Sequence, residues 1–256
     1  MSKQLFSIDS NAKTVKGQKY GFLTGVMYLA PHTLSGINLC PMADIAKCAQ
    51  ACLNTAGRGA FTKIQNQRIA KTRRFIDNRD AFMADIVWSI QALIRKANRM
   101  ELTPLVRLNG TSDIRWENIP VTVDGIEYRN AMAAFPGVQF YDYTKIANRK
   151  NIPANYDLTF SYSGVAGYQA YAQKAIANGM RVAVVFRTRE EIPATFLGMQ
   201  CVDGDNSDIR HLDDQGVCVA LYAKGPAKRD TTGFVIDARD AANVRKVFEI
   251  RAISFA

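Results

Sequence analysis

Three cysteines lie within thirteen positions of this 256-residue chain, in the stretch "LCPMADIAKCAQACLNTAGRGAF". Seven residues separate Cys40 from Cys48, and three separate Cys48 from Cys52. Cys48 and Cys52 therefore share one face if this segment is helical. Three thiolates can bind three irons of a [4Fe–4S] cluster and leave the fourth iron free for another ligand, as a catalytic cluster requires. The spacing indicates such a site at these three residues.

Two other interpretations of the three cysteines stay open. A structural zinc site needs a fourth ligand, and His32, eight residues before Cys40, is the nearest candidate. The cysteines can also be buried thiols that bind no metal. The two remaining cysteines, Cys201 and Cys218, lie far away in apolar sequence, and we interpret them as ordinary buried thiols.

The composition favours an anionic partner. Lys and Arg total 33 against 23 Asp and Glu, a net charge of +10, which suits nucleic acid or a nucleotide. The N-terminal residues lack the pattern of a signal peptide, and no run approaches the roughly 18 apolar residues that span a bilayer. We therefore expect a cytoplasmic protein without a membrane partner. In a reducing cytoplasm, clustered cysteines more often bind metal or carry out redox chemistry than form disulfides.

Strand-like and helical segments alternate along the chain. A first buried strand, "YGFLTGVMYLAP", precedes the cysteines, and apolar residues at helical spacing predict helices from residue 58 to 100. A break between two helices is expected at 77–80, with Asp77 or Asp80 as an N-cap. The later segments that read as strands are "LTPLVRLNG", "VQFYDYT", "YDLTFSYSG", "RVAVVFRT" and "GVCVALYAKG". The pattern predicts one α/β domain over residues 1–256, with a largely parallel sheet that forms a partial (β/α) barrel of about six strands.

Ligands of parallel α/β folds bind at the carboxyl ends of the strands. The cysteine loop, residues 32–60, follows the first strand, and "NGTSDIRWE" follows the second. Asp113 in this second segment, with Asp142 and Lys145 at the end of the third strand, are therefore candidate catalytic residues. Strand alternation puts Asp142 and Lys145 on opposite faces, so only one of them can face the site. Residues 111–137 read as an insertion on the rim or as a loop with a short helix.

A first strand, a three-cysteine loop, a helix and a second strand ending in a glycine-containing turn resemble the radical S-adenosylmethionine (SAM) enzymes. That superfamily usually has the spacing C-x3-C-x2-C, whereas this chain has seven and three intervening residues. The resemblance implies that the three cysteines hold the cluster, that SAM occupies the fourth iron, and that the turn meets the amino group of SAM. The corresponding cofactor-binding residues are Asn109, Gly110, Thr111 and Ser112. The implied reaction is reductive cleavage of SAM to a 5′-deoxyadenosyl radical, which abstracts hydrogen from the substrate.

The cysteine segment is also similar to a family of phage-encoded three-cysteine proteins. The shared features are a Cys-Pro beginning, two further cysteines and a glycine- and arginine-containing end. The similarity extends through "DGDNSDIRHLD" and "KGPAKRDTTGFVID", and thus over most of the chain. It implies a host cytoplasmic location but no particular activity. In "DGDNSDIRHLD" we expect Asp208 to form a buried ion pair or polar network with Arg210 or His211.

A basic stretch, "RGAFTKIQNQRIAKTRRF", follows the cysteines. It is either a solvated helix face or a phosphate-binding surface, since Lys and Arg neutralise backbone phosphates without reading the bases. The candidate nucleic-acid-binding residues are Arg58, Lys63, Arg68, Lys71, Arg73 and Arg74.

The sequence predicts a radical-SAM-like iron–sulfur enzyme that acts on an unidentified substrate, with nucleic acid or a nucleotide as the favoured class. The alternative is a non-enzymatic nucleic-acid-binding protein. In that protein a zinc ion bound by His32, Cys40, Cys48 and Cys52 stabilises the fold.

Overall fold

The computed structural model describes residues 3–8 and 12–237. The strands of the main sheet are β1 (Phe6–Ser7), β2 (Phe22–Met27), β3 (Thr103–Arg107), β6 (Gln139–Thr144), β7 (Tyr156–Ser161), β8 (Val182–Phe186), β9 (Thr195–Phe196), β10 (Met199–Asp203) and β11 (Cys218–Tyr222). A separate hairpin contains β4 (Val121–Val123) and β5 (Ile126–Tyr128). The α-helices are α1 (Ala12–Gly17), α2 (Thr62–Asp77), α3 (Arg79–Arg99), α4 (Ala131–Ala134) and α5 (Gln169–Ala177).

The prediction of an α/β fold with a largely parallel sheet is confirmed. The strand order is β1-β2-β3-β6-β7-β8-β11-β10-β9, and every pair from β2 through β10 is parallel. The six predicted strands are β2, β3, β6, β7, β8 and β11, which lie side by side in chain order. The sheet nevertheless has nine strands rather than about six. Within the described residues β1 and β9 form its two edges, so the sheet is open and no closed barrel is present.

The long helical stretch divides as predicted, but its boundaries differ in detail. Helix α2, the first of the two helices in this stretch, begins at Thr62 rather than at residue 58, because Gly57–Ala60 forms a 3₁₀ turn. Asn78 is the N-cap of α3, and its side-chain oxygen accepts a hydrogen bond from the backbone N–H of Ala81 at 3.3 Å. The predicted caps Asp77 and Asp80 were therefore wrong. Asp77 is the last residue of α2, and Asp80 lies in the first turn of α3.

The two largest of the four apolar clusters among the described residues lie against the sheet and hold its strands in place. One contains the inner face of α3 together with β2, β3 and β6, with Phe82, Ile86 and Ile90 fully buried. The other contains α5 with β7, β8 and β11. Parallel strands buried on both faces carry nearly continuous apolar side chains, as β8 does with "VAVVF". Polar residues such as Thr144 and Ser161 lie at the carboxyl ends of the parallel strands.

Residues 111–137 contain the β4–β5 hairpin and α4, together with a 3₁₀ turn at Trp116–Asn118. Buried Asn130 caps α4 and donates its side-chain amide to the carbonyl of Glu117 at 2.9 Å. The insertion at 111–137 and the single-domain organisation of residues 1–256 stay predictions. Within the described part of the chain, the helices are too short or too polar for any of them to cross a membrane.

Candidate functional site

A cavity of about 480 Å³ lies at the carboxyl ends of the parallel strands. Its wall includes Ser161 at the end of β7, Val185 on β8 and Tyr222 at the end of β11. The cysteine loop covers one side, and the segment after β3 covers the adjoining side. This position agrees with the expectation that ligands of parallel α/β folds bind at this edge of the sheet.

All three clustered cysteines line this cavity. The loop that carries them is not an α-helix, so Cys48 and Cys52 do not reach the cavity from one helical face. The chain follows short turns, in which Cys48 donates its backbone N–H to Ala43 at 3.2 Å and Cys52 donates its own to Ala49 at 3.4 Å. Irregular backbone and not helical periodicity therefore brings the thiols together.

Hydrogen bonds from three separate parts of the fold hold the cysteine loop. Asp113 donates its backbone N–H to the carbonyl of Leu39 at 2.9 Å. The hydroxyl of buried Ser163 donates to the carbonyl of Ala46 at 2.8 Å. Arg68 on α2 donates to the carbonyl of Asn54, also at 2.9 Å. These bonds fix the loop immediately before Cys40, between Cys40 and Cys48, and after Cys52.

Backbone N–H groups point at two of the three sulfurs. His32 donates its N–H to Cys40 Sγ at 3.3 Å, and Asn54 donates its N–H to Cys52 Sγ at 3.4 Å. Burial raises the pKa of the Cys40 thiol to about 12, and it also raises the pKa of Cys48 and Cys52. In this environment the thiols hold their protons at neutral pH unless a positive charge compensates for the lost hydration.

The ring of His32 contacts Asp44 and Thr33. Its Nε2 is 3.0 Å from Asp44 Oδ1, and its Nδ1 is 3.3 Å from the hydroxyl of Thr33. His32 does not belong to the cavity wall. In residues 3–8 and 12–237, no group of three or more His, Cys, Asp or Glu side chains is arranged to hold a metal ion.

The turn after β3 lies directly beside Cys40. Asn109, Gly110, Thr111 and Ser112 all line the cavity. No comparison supports the resemblance to radical SAM enzymes, so their role as a cofactor turn stays a prediction. Cys40 Sγ is 3.7 Å from the carbonyl oxygen of Thr111. Gly110 packs tightly on β2, since a Cβ at this position would lie 2.5 Å from the carbonyl oxygen of Met27. Only glycine lets the backbone pass so close to the neighbouring strand.

Asp113 and Lys145 both line the cavity and are joined through the end of β6. The Asp113 carboxylate accepts hydrogen bonds from the Thr144 hydroxyl and the Lys145 backbone N–H, each at 2.8 Å. Burial raises the pKa of Asp113. The Lys145 ammonium donates to the carbonyl and hydroxyl of Ser161, each at 3.1 Å, and no acidic side chain within the described ranges forms an ion pair with it. Burial lowers the pKa of Lys145.

Asp142 lies beneath the turn and does not belong to the cavity wall. Its carboxylate accepts the backbone N–H of Asn109 at 2.8 Å and the hydroxyl of Tyr156 at 2.9 Å. Burial raises its pKa from 3.8 to about 7, although Arg107 opposes the rise. Strand alternation correctly separated Asp142 from Lys145, and Lys145 is the one that faces the cavity. Asp142 instead holds the turn in place.

A further part of the cavity wall, called the far wall below, contains charged residues that the sequence did not predict as site residues. Arg107 donates to Asp208 at 2.8 Å, and Lys224 pairs with Asp205. Both pairs line the cavity together with Tyr222. Asp208 therefore forms an ion pair, but with Arg107 instead of the expected Arg210 or His211; Arg210 pairs with Asp213. The polar side chains in "YAKG" and "DGDNSD" are visible in the sequence as possible site residues. The sequence does not show, however, that Asp208 pairs with the distant Arg107.

The six candidate nucleic-acid-binding residues have different environments. Arg58, Lys63 and Arg73 are exposed. Arg68 is buried against Asn54, and Arg74 pairs with the buried carboxylate of Asp85. Burial lowers the pKa of Lys71 to about 8. Half of the predicted basic surface therefore has internal contacts or reduced charge.

A family model described as "Gene product 88" matches residues 3–238. The match is consistent with the resemblance to phage-encoded three-cysteine proteins. No curated protein and no solved structure matches the chain in the corresponding comparisons. Because the family model spans almost all of the described residues, the chain belongs to the gene product 88 family.

Proposed function

We propose that this protein is a radical-SAM-like iron–sulfur enzyme. One observation carries the proposal: three cysteines and a glycine turn line the same cavity at the carboxyl ends of six sequentially ordered parallel strands. Ligand sites of parallel α/β folds occupy this position. Cys40, Cys48 and Cys52 are the proposed cluster ligands. When bound there with SAM, a [4Fe–4S] cluster supplies an electron for reductive cleavage of SAM.

A cluster and a zinc ion require different arrangements of their cysteine ligands. A zinc ion brings all its sulfur ligands to about 2.3 Å from one point, whereas each cysteine of a four-iron cluster binds a different iron. The thiols face one cavity, yet no described group of side chains meets at one metal position. The His32 ring, which the zinc alternative needs, pairs with Asp44. These contacts favour the cluster over the zinc-containing nucleic-acid-binding protein.

Burial disfavours negative charge on the sulfurs, but neighbouring groups oppose this effect in part. The N–H groups of His32 and Asn54 donate to Cys40 and Cys52. Such hydrogen bonds stabilise thiolates and tune the reduction potential of a cluster. Burial raises the pKa of Cys48, and the positive charge of Lys145 opposes that rise. In its charged form, Lys145 therefore favours a thiolate at Cys48.

The turn of residues 109–112 supplies the proposed place for SAM. It contacts Cys40 through the Thr111 carbonyl, so a molecule held by the turn lies next to this cysteine. The buried Asp142 receives the Asn109 N–H and keeps the turn in one conformation. Asp113, whose pKa burial raises, is the proposed group that holds a proton or contacts the amino group. Preorganisation of this kind reduces the entropic cost of binding.

The substrate class is proposed from charge. The net charge of +10, with exposed Arg58 close to Cys52 in the sequence, suits an anionic substrate such as a nucleotide or nucleic acid. Arg107 and Lys224 in the cavity wall are each paired with a carboxylate. The aromatic ring of Tyr222 adds a surface on which a base can stack, and it lies 4.5 Å from the Lys224 ammonium.

Anaerobic purification followed by iron, sulfide and zinc analysis tests the proposal. We expect about four irons and four sulfides per chain, and a visible spectrum that changes when SAM is added. One zinc per chain with no iron would favour the zinc alternative instead. Absence of both metals from protein reconstituted with iron and sulfide would refute both functions.

A further inference from the structure

Cys201 and Cys218 lie opposite each other at the end of the sheet away from the cavity. They are register partners on the neighbouring parallel strands β10 and β11. Cys218 is the first residue of β11, whereas Tyr222 at the other end of the strand lines the cavity. Their thiols therefore form a second sulfur site, separate from the three-cysteine site.

The geometry of this pair suits a disulfide. Neighbouring strands lie about 4.7 to 4.9 Å apart, which falls within the range of about 4.4 to 6.8 Å for Cα atoms joined by a disulfide. Register partners on parallel strands project from the same face of the sheet. The two thiols are therefore neighbours on one face of the sheet.

The two thiols are also chemically unequal. Cys201 is partly exposed, whereas Cys218 is completely buried. The neighbouring Cys218 thiol lowers the pKa of Cys201, whereas the Cys201 thiol and burial both raise the pKa of Cys218. An accessible thiol with a lowered pKa next to a second thiol is the usual arrangement of a reactive and a resolving cysteine.

We propose that Cys201 and Cys218 form a reversible disulfide when the protein meets a peroxide. The Cys201 thiolate attacks one peroxide oxygen, the O–O bond breaks, and the released hydroxide takes a proton to become water. Cys201 is then a sulfenic acid. The Cys218 sulfur attacks the Cys201 sulfur, the S–O bond breaks, and the thiol proton leaves with the oxygen as a second water. Two thiols are oxidised and one peroxide is reduced to two waters.

The disulfide would restrict the motion of a segment that contributes to one wall of the cavity. Residues 201–218 contain Asp205 and Asp208, which pair with Lys224 and Arg107 on that wall. Closing a loop of this length raises the folding equilibrium constant by a factor on the order of 100. This inference does not depend on the proposed function, since neither sulfur belongs to the cysteine cluster.

Titration of the reduced, metal-free full-length protein with hydrogen peroxide tests the proposal. We expect the loss of two hydrogen atoms per chain by intact mass and a peptide cross-linked between Cys201 and Cys218. The oxidised form should unfold at higher denaturant concentration, and dithiothreitol should reverse both changes. Parallel measurements on Cys40→Ala/Cys48→Ala/Cys52→Ala separate this pair from the clustered thiols.

Single variants provide the control. In Cys218→Ala, and in Cys218→Ser as a second variant, dimedone should label Cys201 as a sulfenic acid and no stabilisation should follow oxidation. Alkylation of both Cys201 and Cys218 after peroxide treatment of the folded triple variant would overturn the proposal. So would a cross-link that joins either residue to a different cysteine.

Discussion

Replacement of Gly110 by Ala tests whether the turn beside Cys40 depends on close contact with β2. A Cβ at this position would lie 2.5 Å from the Met27 carbonyl oxygen, 2.8 Å from the Tyr28 ring and 2.9 Å from a Val26 methyl. The ring can rotate, but the carbonyl belongs to the last residue of the buried strand β2. Gly110 also donates its own N–H to this carbonyl at 3.0 Å.

The size of the effect follows from these distances. To bring the Cβ from 2.5 Å to the ordinary contact distance of 3.4 Å, the turn must move by about 0.9 Å. Overpacking of a well-packed site costs about 1 to 3 kcal/mol, and lengthening of the hydrogen bond places this variant near the upper value. A loss of about 3 kcal/mol corresponds to a decrease in Tm of about 6 to 12 °C for a chain of this size.

Calorimetry and a SAM titration measure the two consequences. We expect Gly110→Ala to retain cluster iron but to bind SAM about 10- to 100-fold more weakly, because the displaced turn no longer has the productive geometry. Gly167→Ala is the matched control: this glycine lies in an exposed 3₁₀ turn, and a Cβ there would meet nothing within 4 Å.

Two results would count against this reasoning. A Tm for Gly110→Ala within about 1 °C of the wild-type value would refute the packing estimate. A clear decrease in Tm with unchanged SAM affinity would leave the packing estimate intact and remove the turn from the proposed cofactor site.

Four further predictions use simpler measurements. Alanine at any clustered cysteine should remove most bound iron, whereas Cys218→Ala should not; equal losses would show that the wrong cysteines were chosen. His32→Ala should retain the iron, and loss of metal from this variant would favour the zinc alternative. Burial raises the pKa of Asp142 from 3.8 to about 7. Between these pH values the folded protein holds a proton that the unfolded chain releases. The free energy of unfolding should therefore fall as the pH rises from about 4 to 7. Asp142→Asn should flatten that part of the denaturation profile, and an unchanged slope would contradict the assignment. Lys63→Ala with Arg73→Ala should reduce the salt dependence of any nucleic-acid binding by up to about two in the logarithmic slope, and an unchanged slope would leave both as solvated side chains.

The position of the candidate site could be predicted from the sequence, because ligands of parallel sheets bind at the carboxyl ends of the strands. Six apolar segments alternating with polar strand ends predict parallel strands, and their carboxyl ends must meet at one edge. Cys40, Gly110 and Lys145 each follow a different strand in the sequence, so their common location could be predicted without a structure. The wrong N-cap has a local cause, since three polar candidates occur at 77–80 and only backbone geometry selects Asn78.

The far wall could not be predicted in the same way. Arg107 and Asp208 are 101 residues apart, and no periodic pattern links them. Likewise, α2 carries basic residues around its circumference, and the sequence does not say which face packs inward. Arg68 donates to the Asn54 carbonyl, and Arg74 pairs with the Asp85 carboxylate. These contacts could be identified only from the fold.

The sequential strand order also has a consequence for biosynthesis. The cavity wall draws residues from Cys40 to Phe234, and each successive strand adds its contribution in the order in which the ribosome makes it. A nascent chain that ends before β11 exposes the three thiols but lacks the wall formed by Tyr222, Lys224 and Phe234. The buried environment of the cysteines is therefore complete only at a late stage of translation. Until then, the thiols lack this part of the cavity wall.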